Sequence, residues 1–192
     1  MYKQMAVAAG LALAAAAANA AVTAGIGSLS GSFMDLSATG VVTGGAIYDQ
    51  SEDYGGTKAA RPLGTSGHWF AAGPSNNTES AVLNLGAGTT SVSFLWGSPD
   101  YYNSFNVNVV GGTSATYGSW ANNSSQWLGI TLNGDQSVAN YITFSTDTGY
   151  IGSITFNSPG INAIEIANVA ASYKSLIKTR MVSSGLVIIF LQ

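Results

Sequence analysis

The feature that most constrains this chain is an alternation of apolar and polar residues with a period of two, which recurs along most of its length. In segment 91–96, for example, Val92, Phe94 and Trp96 fall on one face of an extended chain. After residue 20 no segment shows a convincing helical period. We therefore predict strands over 22–29, 40–48, 67–71, 81–85, 91–96, 104–109, 127–132, 141–144, 151–156 and 161–166.

Turn-forming residues separate these segments, as in Gly97-Ser98-Pro99-Asp100 and Asn133-Gly134-Asp135. Short antiparallel strands with one apolar face must bury that face on a second layer. The predicted fold is all-β: a two-sheet antiparallel β-sandwich, jelly-roll-like, with a closed β-barrel as the alternative. The predicted core residues are Val92, Phe94, Trp96, Phe105, Val107 and Ile154.

The two ends of the chain differ from its body. Lys3, an apolar stretch over 5–18 and the Ala18-Asn19-Ala20 step have the order of a secretory signal peptide, so we expect residues 1–20 to be removed after Ala20. Residues 21–172 are predicted to form the β-sandwich. The tail, 173–192, is basic and apolar while the body is acidic, which indicates a boundary near residue 172.

Composition narrows the possible functions. Charged residues make up only 8% of the chain, and glycine contributes 24 positions, which suits an exported protein solvated by hydroxyls and amides. Six basic residues against nine acidic ones offer no basic patch, so nucleic acid is not a predicted partner. The absence of cysteine excludes thiolate nucleophiles and cysteine-ligated zinc.

One segment is individual enough to carry a resemblance. The sequence SFLWGSPDYYNSF, residues 93–105, contains the pattern F-x-W-G-S-x-D-x-Y-N. It resembles the signature of a family of exosortase-dependent bacterial surface proteins, the PEP-CTERM type. Further segments agree with the family in the same order, over about residues 24–170: Pro62-Leu63-Gly64, GHWFAAG (67–73), NYITF (140–144), ITFNS (154–158) and AIEIAN (163–168).

The chain departs from this family in two places. Members close with a strand reading Glu-x-Asp-Asn, whereas Ala167 stands here at the aspartate position, between Glu165 and Asn168. Members also carry a C-terminal sorting signal of Val-Pro-Glu-Pro, a hydrophobic span and a basic cluster, which is missing or diverged after residue 172. The resemblance implies export to the cell surface, and the sequence leaves membrane anchoring open.

Few residues suggest chemistry. His68 is the only histidine, and no local pattern supplies a nucleophile and an orienting carboxylate, so we interpret it as a partly exposed strand residue. Asp49, Glu52 and Asp53 form an acidic loop, which we interpret as solvated. A calcium site there is the alternative, although the pattern is not that of an EF-hand. No cofactor is otherwise predicted.

Loop aromatics offer a candidate carbohydrate site; the alternative is that Trp127 simply opens a strand and Trp120 caps the core. Aromatic rings stack on sugars, and amides hydrogen-bond them, so a polar aromatic loop suits a carbohydrate. The candidates are Tyr101, Tyr102, Tyr117, Trp120 and Trp127.

Three functions follow from these observations, in order of preference. The first is a secreted, non-enzymatic component of the bacterial cell surface or extracellular matrix. The second is a carbohydrate-binding, lectin-like module, and the third a polysaccharide hydrolase. The partners expected for such a protein are extracellular polysaccharide or components of the cell envelope.

Overall fold

The computed structural model describes residues 22–52, 59–74, 78–118, 126–174, 178–182 and 185–189. These residues contain sixteen β-strands and no α-helix. No helix among them is long and apolar enough to span a membrane. The strands are β1 Thr23–Ile26, β2 Ser32–Phe33, β3 Val42–Gly44, β4 Ala46–Tyr48, β5 Trp69–Ala72, β6 Ser80–Asn84, β7 Thr89–Gly97, β8 Ser104–Val110, β9 Ala115–Gly118, β10 Gln126–Trp127, β11 Ile130–Thr131, β12 Ala139–Ser145, β13 Tyr150–Asn157, β14 Ile164–Tyr173, β15 Lys178–Val182 and β16 Gly185–Ile189.

Two antiparallel sheets contain most of these strands. The larger sheet has the order β1-β12-β7-β14-β5-β4, with the short β2 paired to β14, and the smaller has the order β3-β6-β13-β8-β9. Neither sheet closes on itself, so the predicted β-sandwich is confirmed and the barrel alternative is not observed. The chain passes from the smaller to the larger sheet at Gly44 and Gly45, both with positive φ.

The main core lies between the two sheets and is rich in aromatic rings. Phe94 of β7 packs against Phe156 of β13 with ring centroids 5.2 Å apart, and Trp96 packs against Phe105 of β8 at 5.0 Å. Phe70 of β5 meets Phe156 at 5.3 Å. All six residues predicted to form the core are buried, with no more than 1% of their surface exposed.

The opposite face of the larger sheet is covered by two loops. Residues 27–31 cross one half, where Ser30 N donates to Ser93 Oγ over 2.9 Å, and the following β2 joins the sheet beside β14. Residues 59–67, here called the covering loop, cross the other half above a second apolar cluster. That cluster consists of Tyr48, Ala59, Trp69, Ala71, Leu95, Ala163 and Ala167.

Three predicted strands differ from the observed ones. The segment predicted over 40–48 is divided at Gly44 and Gly45 into β3 and β4. The segment predicted over 127–132 is a small hairpin, because Leu128 has a φ of 52° and turns the chain between β10 and β11. The last strand begins at Ile164, three residues later than predicted, and continues to Tyr173.

The tail has its own pairing. Strands β15 and β16 pair with each other and form a separate two-stranded sheet. The last contacts of the sandwich reach slightly beyond the proposed boundary: Tyr173 pairs with Thr89, and Lys174 N donates to Gly88 O over 2.7 Å. A cut after Lys174 therefore respects the observed pairing better than one after Ser172.

Replacing Trp96 tests the core. Its side chain is fully buried between Phe105 and Trp127, so Trp96→Ala should destabilise the fold by about 3–5 kcal/mol. Urea unfolding of the purified protein measures this. The control is Phe33→Ala, which removes a ring that is 66% exposed and should cost far less. Equal unfolding midpoints for the two variants would contradict the assignment of Trp96 to the core.

Shortening the chain tests the tail. A chain covering residues 21–174 should melt at nearly the same temperature as one covering 21–192, because β15 and β16 add no strand to the sandwich. A chain ending at Ser172 should be slightly less stable, by about 1–2 kcal/mol, since it loses the pairing of Tyr173 and the bond from Lys174. Unfolding of the chain that ends at Lys174 would show that the tail belongs to the core.

Candidate functional site

The signature segment forms the end of β7, a tight turn and the beginning of β8. Ser98 has a φ of 44°, which turns the chain out of the strand. Asn103 then closes the turn twice: its N–H donates to Asp100 O over 3.1 Å, and its side-chain oxygen accepts the N–H of Asp100 at 3.2 Å.

Asp100 and Tyr102 join this turn to a neighbouring loop. Tyr102 OH donates to Asp100 Oδ2 over 2.8 Å and accepts the N–H of Asn162 at 3.3 Å. The Tyr102 ring lies directly over Gly160, where a Cβ would come within 2.4 Å of the ring carbons. Burial and the adjacent Asp100 carboxyl raise the pKa of Tyr102, so the phenol stays a hydrogen-bond donor.

Asn103 extends the same network into the interior. It is fully buried, and its Nδ2 donates to Ser158 Oγ over 3.1 Å. Ser158 Oγ donates in turn to Asn162 O over 2.6 Å. The polar side chains of the signature thus bind other parts of the fold, and the loop that contains Ser158 and Asn162 is held in two places.

Glu165 is a buried carboxyl group that the sequence analysis did not identify. It lies on β14 opposite Gly97, with 3% of its surface exposed. Its Oε1 accepts the N–H of Ala60 at 3.3 Å, while Oε2 has no hydrogen-bond partner. Burial raises the pKa of Glu165 well above its usual value, and the charge of Asp100 raises it further. The group therefore favours its neutral form.

Asn168 holds the other end of the covering loop. It has a φ of 49° at a bulge of β14, where the pairing with β7 shifts register. Its side-chain oxygen accepts the N–H of Ser66 at 2.7 Å, and its Nδ2 donates to Gly64 O and to Tyr141 OH. Glu165 and Asn168 thus hold the covering loop from two points of one strand. Apart from the closing motif of the resemblance, the sequence signal for this pair is two polar residues within the apolar stretch 164–171.

Ala167, between these two residues, is fully buried under the covering loop in contact with the second apolar cluster. A carboxylate at this position would enter an apolar environment at a large cost. An alanine at position 167 therefore suits the apolar cluster below the covering loop.

The predicted aromatic site is divided between two places. Tyr101 is 55% exposed beside Tyr102 in the signature turn, with ring centroids 5.1 Å apart. Tyr117 and Trp127 lie elsewhere in the packing, 5.9 Å from each other. Trp120 falls outside the described residues. Of the four described candidates, Tyr101 alone is classed as exposed.

Packing accounts for the second aromatic pair. Tyr117 stacks on Phe144 with centroids 5.1 Å apart and donates its hydroxyl to the carbonyl of Val22. Trp127 stacks on Phe105 at 5.7 Å and meets Trp96 edge-on. These rings close one end of the core, which leaves them little free face for a sugar.

The acidic loop is organised by its own hydrogen bonds. Asp49 Oδ1 accepts from the N–H and the hydroxyl of Ser51, which holds the pKa of Asp49 below its usual value. His68 lies between two carboxylates, 3.7 Å from Asp49 and 4.0 Å from Asp35, on opposite ring nitrogens. Glu52 Oε2 accepts the N–H of Asp49, and Asp53 falls outside the described residues. Within the described part of the chain, no three acidic or histidine side chains converge to hold a metal ion.

Two shallow cavities flank the covering loop. One of about 130 Å³ lies beside Asp35 and His68. The other, of about 300 Å³, is mostly polar and includes Gln50, Arg61 and Gln136. The carboxyl groups of Asp100 and Glu165 line neither cavity.

Comparison with protein-family models, with curated proteins and with solved structures found no match.

The buried carboxyl makes stability depend on pH. In the fold Glu165 binds its proton more tightly than in the unfolded chain, where it titrates near 4.5. The stability it contributes is complete below that pH and is lost as the pH rises through the raised pKa of the folded state. Glu165→Gln should therefore match the parent protein in acid and exceed its stability at neutral and alkaline pH.

Urea unfolding from about pH 4 to about pH 9 measures this difference. The matched control, Glu79→Gln, makes the same change at an exposed position. Parallel stability profiles for Glu165→Gln and the parent protein would show that Glu165 is not held neutral by the fold.

Proposed function

We propose that the chain is an exported, non-enzymatic component of the bacterial cell surface or extracellular matrix. The observation that carries this proposal is that the polar residues of the signature form hydrogen bonds within the fold. Asp100, Tyr102 and Asn103 each bond to the turn itself or to the 158–162 loop, so the most distinctive segment of the sequence serves the fold. A signature of this kind suits a structural protein whose task is to remain folded outside the cell.

The arrangement of the acids argues against the hydrolase alternative. A glycosidase needs two carboxyl groups on either side of a cleft that admits the sugar. Asp100 and Glu165 influence each other electrostatically, but only 4% and 3% of their surfaces are exposed. Neither group is open to a glycosidic bond, because Glu165 lies under the covering loop and Asp100 is buried in the signature turn.

The lectin-like alternative retains one observation in its favour at the predicted site. Tyr101 presents an exposed ring on a turn that five hydrogen bonds around Asp100, Tyr102 and Asn103 hold in place. A rigid ring costs little entropy on binding a sugar. A single exposed tyrosine nevertheless offers only one stacking contact.

Export can be tested by following the full chain in a bacterial host. We expect the species recovered from the envelope or the medium to begin at Ala21, because the Ala18-Asn19-Ala20 step matches a signal cleavage site. Cell fractionation with mass spectrometry of the N-terminus measures this. The control is the double variant Leu11→Arg and Leu13→Arg, which breaks the apolar stretch and should keep the chain inside the cell.

Two results would contradict the proposal. One is an uncleaved parent chain that stays in the cytoplasm. The other is release of reducing ends from a polysaccharide by the purified protein, abolished by Glu165→Gln or Asp100→Asn, which would make the buried acids catalytic.

A further inference from the structure

The two sheets of the sandwich differ in what covers their outer faces. The outer face of the larger sheet is covered by residues 27–31 and by the covering loop. The outer face of the smaller sheet carries a row of directly paired residues across all five of its strands. The row is Thr43, Val82, Thr155, Asn106 and Thr116, and its members are exposed or half-buried.

A second row lies beside the first, because side chains two residues apart on a strand share a face. It consists of Asn84, Ser153 and Asn108, which are paired across β6, β13 and β8. We call these two rows the polar face. Seven of its eight side chains are hydroxyls or amides, and none is ionisable.

This neutrality is informative in an acidic protein. Between residues 21 and 172 the sequence has nine acidic and two basic side chains, yet the polar face has neither kind. Hydroxyls and amides both donate and accept hydrogen bonds, as the hydroxyls of a sugar do. A neutral ligand of the same chemistry binds such a surface without the cost of desolvating a charge.

We propose that the polar face binds an extended, uncharged polysaccharide laid across the strands. Neighbouring strands are about 4.8 Å apart, close to the advance per sugar along an extended β-linked pyranose chain. Successive sugars would then meet successive positions of the first row, with Val82 beneath an apolar ring face. The proposal deepens the proposed function, since such a polysaccharide is a component of an extracellular matrix.

Affinity electrophoresis of the purified mature protein tests the proposal. Native gels contain soluble β-glucan or xylan as neutral probes and alginate as an anionic one. We expect the neutral probes to retard the protein, independently of added salt, because no charges are paired. The double variant Asn106→Ala and Asn108→Ala should raise the dissociation constant at least about five-fold, since each lost hydrogen bond costs a few-fold in affinity.

The matched control is Tyr101→Ala, which removes the exposed ring of the signature turn and should bind like the parent protein. A thermal melt of each variant confirms that it is folded. Loss of binding in Tyr101→Ala alone, or no retardation by either neutral probe, would overturn the proposal. So would sedimentation as a dimer that the double variant dissociates, without glycan binding, since a second copy of the chain would then be the occupant.

This binding is measured on purified protein, whereas the proposed function is tested by export and fractionation in cells. A secreted protein that binds no glycan would therefore contradict the polar-face proposal alone. A glycan-binding protein retained in the cytoplasm would contradict the proposed function alone.

Discussion

The contact between Trp96 and Phe105 is the interaction on which the rest of the structure depends. These two rings come from consecutive strands that lie in different sheets, so their packing at 5.0 Å fixes one sheet against the other. The signature turn between them must then cross from sheet to sheet within six residues. So short a crossing needs a sharp change of direction, which the positive φ of Ser98 provides. It also keeps backbone N–H and C=O groups away from water, and Asn103 bonds two of them.

The same crossing explains why polar groups are buried in a chain with so few charges. A turn at the end of the sandwich places Asp100 and Asn103 inside, where each needs a partner. Tyr102 and Ser158 supply those partners. Glu165 is less well satisfied, because its Oε2 has no hydrogen-bond partner. Burial raises the pKa of this carboxyl group, which favours the uncharged form.

The alternation of apolar and polar residues predicted which side chains of the strands are buried. The alternation in β7 and β8 placed Phe94, Trp96 and Phe105 in the core, because side-chain period alone decides which face of a strand is buried. The roles of Glu165 and Asn168 could not be predicted in this way. Their partners in the covering loop are about a hundred residues away in sequence. Tyr101 and Tyr102 were likewise indistinguishable in sequence, since the geometry of the turn decides which ring is exposed.

The two outer faces of the sandwich thus differ in polarity and in whether a loop covers them. The larger sheet has an apolar outer face, with Trp69, Leu95 and Ala167, and exposure of such a face would promote association with other apolar surfaces. The covering loop is therefore needed over it, and the polar contacts of Glu165 and Asn168 hold that loop in place. The smaller sheet needs no cover, because its outer side chains hydrogen-bond water on their own. Of the two described sheets, the smaller one therefore leaves its outer face open to a partner, and the side chains that such a partner would contact carry mainly hydroxyls and amides.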